Sequence, residues 1–297
     1  MLDYKLLEAL ARVVREGGFD KAARQMHLTQ SAVSQRIRLL EDQAGMVLLT
    51  RTLPPEPTPE GKALLKHYIQ VRQLEEDLSA GLKMEGNAGG SAFRTLAVGI
   101  NSDSLATWFF PAVDGFLNDN RVLLDLRVDD QDQTRKLLRN GEVLGCISSE
   151  NKPVQGCRVT SIGTMNYRMV ATPGFRDRYF SRGLTRESLG TAPAVIYNHK
   201  DDLHAVFLEQ KYDIDVIREV PAGYLPSPEL FVDFILTGRA YGMVPDLQSL
   251  SHLETGGLLD LDPENHIPVS LYWHRWNLGS ALLDEFSKAI VKNAVIC

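Results

Sequence analysis

At 297 residues the chain exceeds one ordinary core, so two or three domains are expected. Its 44% hydrophobic and 24% charged content excludes a disordered chain, and no apolar run reaches the length of a membrane span. The net charge of −6 would argue against nucleic-acid binding if it were spread evenly. It is not: residues 1–90 hold 12 Lys+Arg against 12 Asp+Glu, residues 91–297 hold 20 against 26, and residues 4–51 hold 8 against 5. A locally basic head on an acidic body stays compatible with phosphate contact. The opening MLDYKLLEALARVVREGGFD is charged and amphipathic and lacks an apolar signal core, so a cytoplasmic protein with no membrane partner is expected. Cys146, Cys157 and Cys297 are odd in number and dispersed, which excludes a disulfide framework or zinc site. They read as reduced structural thiols, with a redox pair Cys146/Cys157 as the alternative. No cofactor or metal is expected.

In chain order, Leu6, Leu10, Val13 and Val14 repeat at helical spacing, and Gly17-Gly18 ends that first helix. Phe19 follows as a core anchor, and a short second helix carries Ala22, Ala23 and Met26. Thr29 is a good N-cap for a third helix from Gln30 to about Gln43, stopped by Gly45. LLTR (48–51) and LPPEPTP (53–59) are extended and suggest a β wing. From Pro59, which suits a first helical turn, a long helix is predicted to about Lys83. Its Leu64, Tyr68, Val71, Leu74, Leu78 and Leu82 form a narrow stripe close to a coiled-coil seam. Two partners fit the stripe: the chain's own domain, or the same helix of a second subunit. The charged flanks (Arg72, Glu75, Glu76, Asp77) favour the second, a homodimer.

GNAGGS (86–91) reads as a flexible linker. Beyond it, strands alternate with helices: strand 95–100, helix 104–117, strand 122–128, helix 131–139 and strand 142–148. A second α/β unit spans about 166–268, and the chain returns through VSLYWH (269–274) to a last helix at 280–293. The predicted architecture is therefore a winged helix-turn-helix at 1–58, a linker helix and hinge at 59–90, and an α/β domain at 91–297. That domain has two lobes, about 91–165 with 269–297 and about 166–268, separated by a cleft.

On the third helix, Val33, Ile37 and Leu40 fall on one face and are expected to bury. Gln30, Ser31, Ser34, Gln35 and Arg38 fall on the other, behind Thr29. Amides and guanidinium groups can bond base edges bidentately, and hydroxyls can reach phosphates, as a recognition helix in a major groove requires. A merely solvated face would carry Lys and Glu, which the first half of this face lacks.

AARQMHLTQSAVSQRIRLLEDQAGMVLLTRT (22–52) resembles the helix-turn-helix of LysR-type transcriptional regulators: Ala-Ala, Ser-X-Val-Ser, Ile-X-X-Leu-Glu, then Gly and Leu-X-X-Arg. PTPEGKALL (57–65) is similar to that family's junction between wing and linker helix. The resemblance implies that Thr29, Gln30, Ser31, Ser34, Gln35 and Arg38 face bases and phosphates of double-stranded DNA. It sets Arg51 and the proline-rich wing, with Pro55, near the minor groove. NSDSLATWFFPA (101–112), RNGEVLGCIS (139–148), NHKDDLHAVFLEQ (198–210) and LYWHR (271–275) resemble the ArgP/LysG branch, some of whose members are labelled inhibitors of chromosome initiation. That resemblance implies a periplasmic-binding-protein-like effector domain responding to lysine or arginine. It also implies control of basic amino acid export genes, assembly to a tetramer and contact with RNA polymerase.

Ligands of open α/β lobes sit at strand C-termini beside helix N-termini. Asn101, Ser102, Asp103 and Ser104 occupy such a place, where serine hydroxyls and backbone N–H groups suit a carboxylate, or where Ser102 or Asp103 merely caps the helix. The Asp103 carboxylate repels a carboxylate and suits an ammonium or guanidinium. Asp129, Asp130, Asp132, Asp201 and Asp202 are further candidates for a cationic side chain. Ser148, Tyr197, His199, Ser227, Glu229 and Pro245 lie at expected strand ends, and Pro228 lacks the N–H that a serine loop would donate there. Trp108 and Trp273 read as core. No GxSxG, HExxH, P-loop or GxGxxG is present, so the chain does not read as an enzyme. A triad of Ser104, His199 and Asp201 and a plain solute-binding role are the competing readings.

Overall fold

A computed structural model describes residues 2–50, 52–82, 93–129, 131–201 and 203–296. Arg51, Asp130, Asp202, Cys297 and the glycine-rich stretch 86–91 lie outside the described residues, as does the side chain of Asp132.

The head is built from α1 (Tyr4–Glu16), α2 (Phe19–Gln25) and α3 (Gln30–Ala44). Asp3 caps α1 by accepting from the Lys5 amide, and Gly17 and Gly45 end α1 and α3 at φ 68°, where a side chain would be strained. Leu6, Leu7, Leu10, Val13, Ala22, Val33, Ile37 and Leu40 close one small core. Glu41 ties the wing to α3, its carboxylate accepting from the amides of Leu48 (2.9 Å) and Leu49 (3.4 Å). The wing is less regular than two strands: among the described residues a single antiparallel bridge, Leu49 to Pro57, holds it. Prolines at 54, 55, 57 and 59 remove the donors a longer ladder needs.

Thr58 caps α4 (Pro59–Gly81), which divides its surface three ways. Leu64, Leu65 and Tyr68 pack into the head's core. Ile69 packs on the core of the second domain, where Gln73 is buried and bonds Asp77, itself held by Arg94 (3.1 Å). Leu74, Leu78 and Leu82 stay 41%, 61% and 58% exposed. The apolar stripe read from the sequence is thus not one seam. Its first turns serve the chain's own head, because α4 must seal that core, and only its C-terminal half is left unpartnered.

In the second domain the first lobe comprises β1 (Arg94–Ile100), α5 (Ser102–Ala106), α6 (Phe109–Asp119), β2 (Val122–Val128), α7 (Gln131–Asn140) and β3 (Gly145–Ser148). The single helix expected over 104–117 is two. Pro111 has no N–H for the Thr107 carbonyl and its ring clashes there, so the chain breaks at Thr107-Trp108 and restarts. The strand expected at 142–148 is shorter, beginning at Gly145. A 15-residue strand, β4 (Cys157–Ala171), then leaves for the second lobe. Nothing in the sequence reading marked it, because its many polar residues mask the alternation. The second lobe adds α8 (Pro173–Tyr179), α9 (Arg186–Thr191), β5 (Ala194–Ile196), α10 (Leu203–Tyr212), α11 (Val216–Glu219) and β6 (Ala222–Tyr224). It continues with α12 (Pro228–Leu236), β7 (Gly242–Pro245), α13 (Asp246–Glu254) and β8 (Leu259–Asp260). The chain returns through β9 (Ile267–Trp276) to α14 (Ala281–Asn293).

The main sheet runs β2-β1-β3-β9-β4-β7, with β8 also on β4. β1 pairs in parallel with β2 and β3, whereas β9 and β4 are antiparallel from Cys157/Trp276 to Tyr167/Ile267 and carry both lobes. Trp273 and Phe286 stack edge-to-face at 5.8 Å between β9 and α14, and the Trp273 indole donates to Ser287 Oγ. Trp108 is also core.

Two consequences are measurable. Leu78→Glu puts charge on the uncovered half of α4 and is expected to abolish self-association in sedimentation velocity while leaving the helical signal intact. Association equal to the parent's would take that face out of any interface. A Cβ on Gly145 would overlap the Trp273 ring. Gly145→Ala is therefore expected to lower unfolding stability by about 1–3 kcal/mol in urea denaturation; an unchanged midpoint would mean the ring can give way.

Candidate functional site

Between the lobes lies a cleft of about 760 Å³. The end of β1 supplies Asn101, Ser102 and Asp103, and the end of β2 supplies Asp129. The turn after β3 gives Ser149, Glu150 and Asn151, and the segment after β5 gives Tyr197, Lys200 and Asp201. Tyr167 and Tyr272 come from the crossover strands, and Phe231, Met243 and Gln248 from the second lobe.

The polar contacts inside it are specific. Tyr167 donates its hydroxyl to Asp103 Oδ2 at 2.6 Å. Ser102 Oγ and Tyr197 Oη share a hydrogen bond of 2.6 Å that spans the lobes. Asp201 accepts from the amides of Leu203 (3.1 Å) and Tyr197 (3.3 Å), so it opens α10 while lining the cleft. Glu150 pairs with Arg135, and its carbonyl meets His274 Nε2 at 2.7 Å. The Asn101 side-chain oxygen is buried with no hydrogen-bond partner among the described residues.

Desolvation pushes the Asp103 carboxyl up from 3.8 to about 6; the Tyr167 hydrogen bond opposes that rise and the negative charge of Asp201 adds to it. Burial, and then the Asp103 charge, push the Tyr167 phenol well above its ordinary value. Because the folded-state value of Asp103 is raised, its ionisation costs stability as pH climbs from about 4 through about 6, and the penalty is absent below that range. Among the described lining residues stand four carboxylates (Asp103, Asp129, Glu150, Asp201) and a single cation, Lys200.

Of the effector residues read from the sequence, Asn101, Ser102, Asp103, Asp129, Tyr197 and Asp201 meet in this cleft. Six others do not line it. Ser104 is fully buried in α5, facing away. Ser148 is buried beneath the turn and accepts from the Glu150 amide. His199 stacks on Tyr224 at 3.8 Å. Ser227 caps α12, with Pro228 at its first position, and bonds Glu229. Pro245 precedes α13. Ser104 Oγ is buried with no hydrogen-bond partner among the described residues, so it does not form the bonded serine–histidine pair that a triad needs. Tyr167, Glu150, Lys200 and Gln248 were missed. Lys200 adjoins the chosen Asp201 and was within reach; Tyr167 lies on the unrecognised β4.

At the other end, α3 presents Gln30, Ser31, Gln35 and Arg38 to solvent, with Ser34 half-buried, while Val33, Ile37 and Leu40 are buried. Thr29 Oγ1 accepts from the Ala32 amide and bonds Ser31 Oγ at 3.0 Å. Pro55 corrects the sequence reading: it is buried. The Thr50 amide bonds the Glu56 carbonyl (2.7 Å), and this closure turns Pro55 inward and leaves Leu53 as the exposed tip, 96% exposed. Cys146 and Cys157 are free, and burial raises their thiols to about 12 and about 11, which keeps them protonated at neutral pH. Among the described residues no helix is long and apolar enough to cross a membrane.

Comparison with known proteins agrees with both ends. Residues 4–62 match the family described as bacterial regulatory helix-turn-helix protein, lysR family, and residues 89–294 match the LysR substrate binding domain. The chain is 41% identical to the HTH-type transcriptional regulator ArgP of Salmonella typhi over 290 residues, 98% of this chain and 96% of that one. The crystal structure of ArgP from Mycobacterium tuberculosis superposes with a TM-score of 0.87 at 34% identity, covering 99% of this chain and 98% of that one. Full-length LysG from Corynebacterium glutamicum with bound effector Arg superposes at 0.79 with 33% identity, over the same shares.

Tyr167→Phe removes the bond that favours the ionised Asp103. Its carboxyl titration, followed by ¹³C NMR, is expected to move upward from about 6. A midpoint that stays or falls would mean that the phenol does not stabilise the carboxylate.

Proposed function

The chain belongs to the LysR-type family of bacterial transcriptional regulators, and from that premise we propose that its DNA-binding activity responds to a basic amino acid, arginine or lysine, held in the interlobe cleft. The observation that carries this reading is the sign of the cleft: among its described lining residues four carboxylates, one of them paired with Arg135, stand against one lysine. The arginine bound to the LysG relative supports it. The family are DNA-binding regulators rather than enzymes, and the cleft is a sensor rather than a catalytic site.

In the proposed complex the guanidinium or ammonium lies between Asp103 and Asp201. Tyr167 fixes the Asp103 carboxylate through Oδ2, leaving Oδ1 for the ligand. The aliphatic stem covers Phe231 and Met243, and the α-carboxylate turns toward Lys200. Asp103 belongs to the first lobe and Asp201 to the second, and their charges repel. A cation between them replaces repulsion with attraction on both sides, so occupancy favours closure. Two heads, paired through the uncovered half of α4, would then read a dyad site with Gln30, Ser31, Ser34, Gln35 and Arg38 of each α3. The genes controlled would be those of basic amino acid export or metabolism, through a tetramer that contacts RNA polymerase.

Thermal melting across the common amino acids tests the effector. Saturating arginine or lysine, at about 100 times Kd, adds about 2.7 kcal/mol and is expected to raise the melting temperature by several degrees, while neutral glutamine does not. Affinity is expected to be flat above about pH 7. It should fall by up to about tenfold per unit below about 6, because a protonated Asp103 must lose its proton to the cation. Asp103→Asn should weaken binding about 30-fold or more. A flat response to both basic amino acids would remove this effector class while leaving the family membership untouched.

A further inference from the structure

The cleft and the DNA-binding head are joined by one continuous set of contacts, and its centre is α7. At its first end, Thr134 donates to the Ile147 carbonyl (2.8 Å) and Arg135 pairs with Glu150, whose carboxylate lines the cleft. Arg135 also donates to the Lys152 carbonyl at 3.0 Å, so this one guanidinium holds the whole turn after β3. Its Nε is buried with no partner among the described residues, and Glu150 supplies its neutralising charge.

The second end of α7 rests on the linker helix. The Leu138 carbonyl accepts from the Trp276 indole at 3.2 Å, and the Lys66 ammonium of α4 lies 5.8 Å from the centre of that ring. Gly141 follows at φ 80°, so close to α4 that a Cβ there would fall 2.7 Å from the Lys66 Cα. Lys66, Ile69 and Gln73 recur at spacings of three and four and so form a single stripe of α4. That stripe is separate from the one sealing the head and from the uncovered leucines. A helix of ten residues is about 15 Å long and packs as a rigid body.

We infer that α7 is a strut that transmits the state of the cleft to the linker helix, with Arg135–Glu150 as its sensing contact and Gly141–Lys66–Trp276 as its output contact. With the side-chain cation of the ligand between Asp103 and Asp201, its α-ammonium competes with Arg135 for the Glu150 carboxylate. Losing that partner leaves a largely covered guanidinium, 12% exposed, without its counter-charge, and movement of α7 relieves the cost. Close packing at Gly141 leaves no slack, so the movement passes to α4 and hence to the spacing of the heads. Arg135, Gly141 and Lys66 act as positioning residues, and none of them touches the ligand. The inference rests on reading the cleft as the effector site, but the coupling itself can be tested without any effector.

Hydrogen–deuterium exchange on the full chain, with no amino acid added, compares the parent with Glu150→Gln, Lys66→Met and the control Asp177→Asn, which removes an exposed carboxylate elsewhere. Glu150→Gln is expected to change exchange about fivefold or more in α4 around 62–73, far from the substitution. Lys66→Met is expected to produce the reciprocal change in α7 and the turn at 149–151. The control should change neither. If Glu150→Gln alters only its own turn and the start of α7, or if Lys66→Met leaves the turn unchanged, the strut is overturned. Lys66 meets the regulatory domain rather than the head's core, and its Met variant keeps the stem, so one of the two arms remains readable should the other variant fold poorly. In a parallel titration of the parent, absence of arginine and lysine binding would refute the effector assignment and leave the exchange result to decide the coupling.

Discussion

The antiparallel pairing of β4 with β9 is the constraint on which the regulatory half depends. Ten register pairs, from Cys157/Trp276 to Tyr167/Ile267, carry the chain between the lobes, with an irregularity at Ser161/Gly163. Each strand buries side chains in both lobes, so neither lobe closes its core without the pair. The same two strands line the cleft with Tyr167 and Tyr272. A ladder of this length resists stretching but tolerates twist, which suits the proposed approach of the lobes over a ligand.

A second constraint is geometric and belongs to α4. One helix of 23 residues has to complete the core of the head, dock on the regulatory domain and keep a free apolar face. A period of 3.6 residues makes three such stripes available, and the sequence assigns them different chemistry. Leu64, Leu65 and Tyr68 seal the head, Lys66, Ile69 and Gln73 meet the regulatory domain, and Leu74, Leu78 and Leu82 remain exposed. Partition of that kind explains why the apolar seam looked continuous along the sequence although its halves face different neighbours.

Much of the head was legible because its signals are local. Thr29 as a cap, Gly17 and Gly45 as stops and the Val33–Ile37–Leu40 stripe each act within one or two turns, and all are present as read. The exception, Pro55, depends on a closure across six residues that no local pattern encodes. In the regulatory half the strand ends were readable, and with them Asn101, Ser102, Asp103, Asp129, Tyr197 and Asp201. Residues that reach the cleft from afar were not. Tyr167 approaches Asp103 across 64 positions, and Glu150 owes its place to Arg135. Ser104 and Ser148 were misplaced for a simpler reason: one residue along a helix or strand turns a side chain from cleft to core.

The acidity of the chain takes on a different meaning once it is located. Charges beyond about 8 Å are largely screened at physiological salt, so an acidic body need not repel the DNA its head contacts. Within the cleft screening is weaker, and the carboxylates work against one another. Desolvation is the main cause of the rise of Asp103 to about 6, and the charge of Asp201 on the opposite lobe adds a smaller part to it. A proton can relieve the repulsion locally, but only a cation of some length can relieve it on both lobes at once. Protonation and ligand binding therefore compete for the same charge while differing in what they do to the lobes. In the proposed function, such a sensor responds to the ligand's charge through closure, and to acid only through weakened affinity.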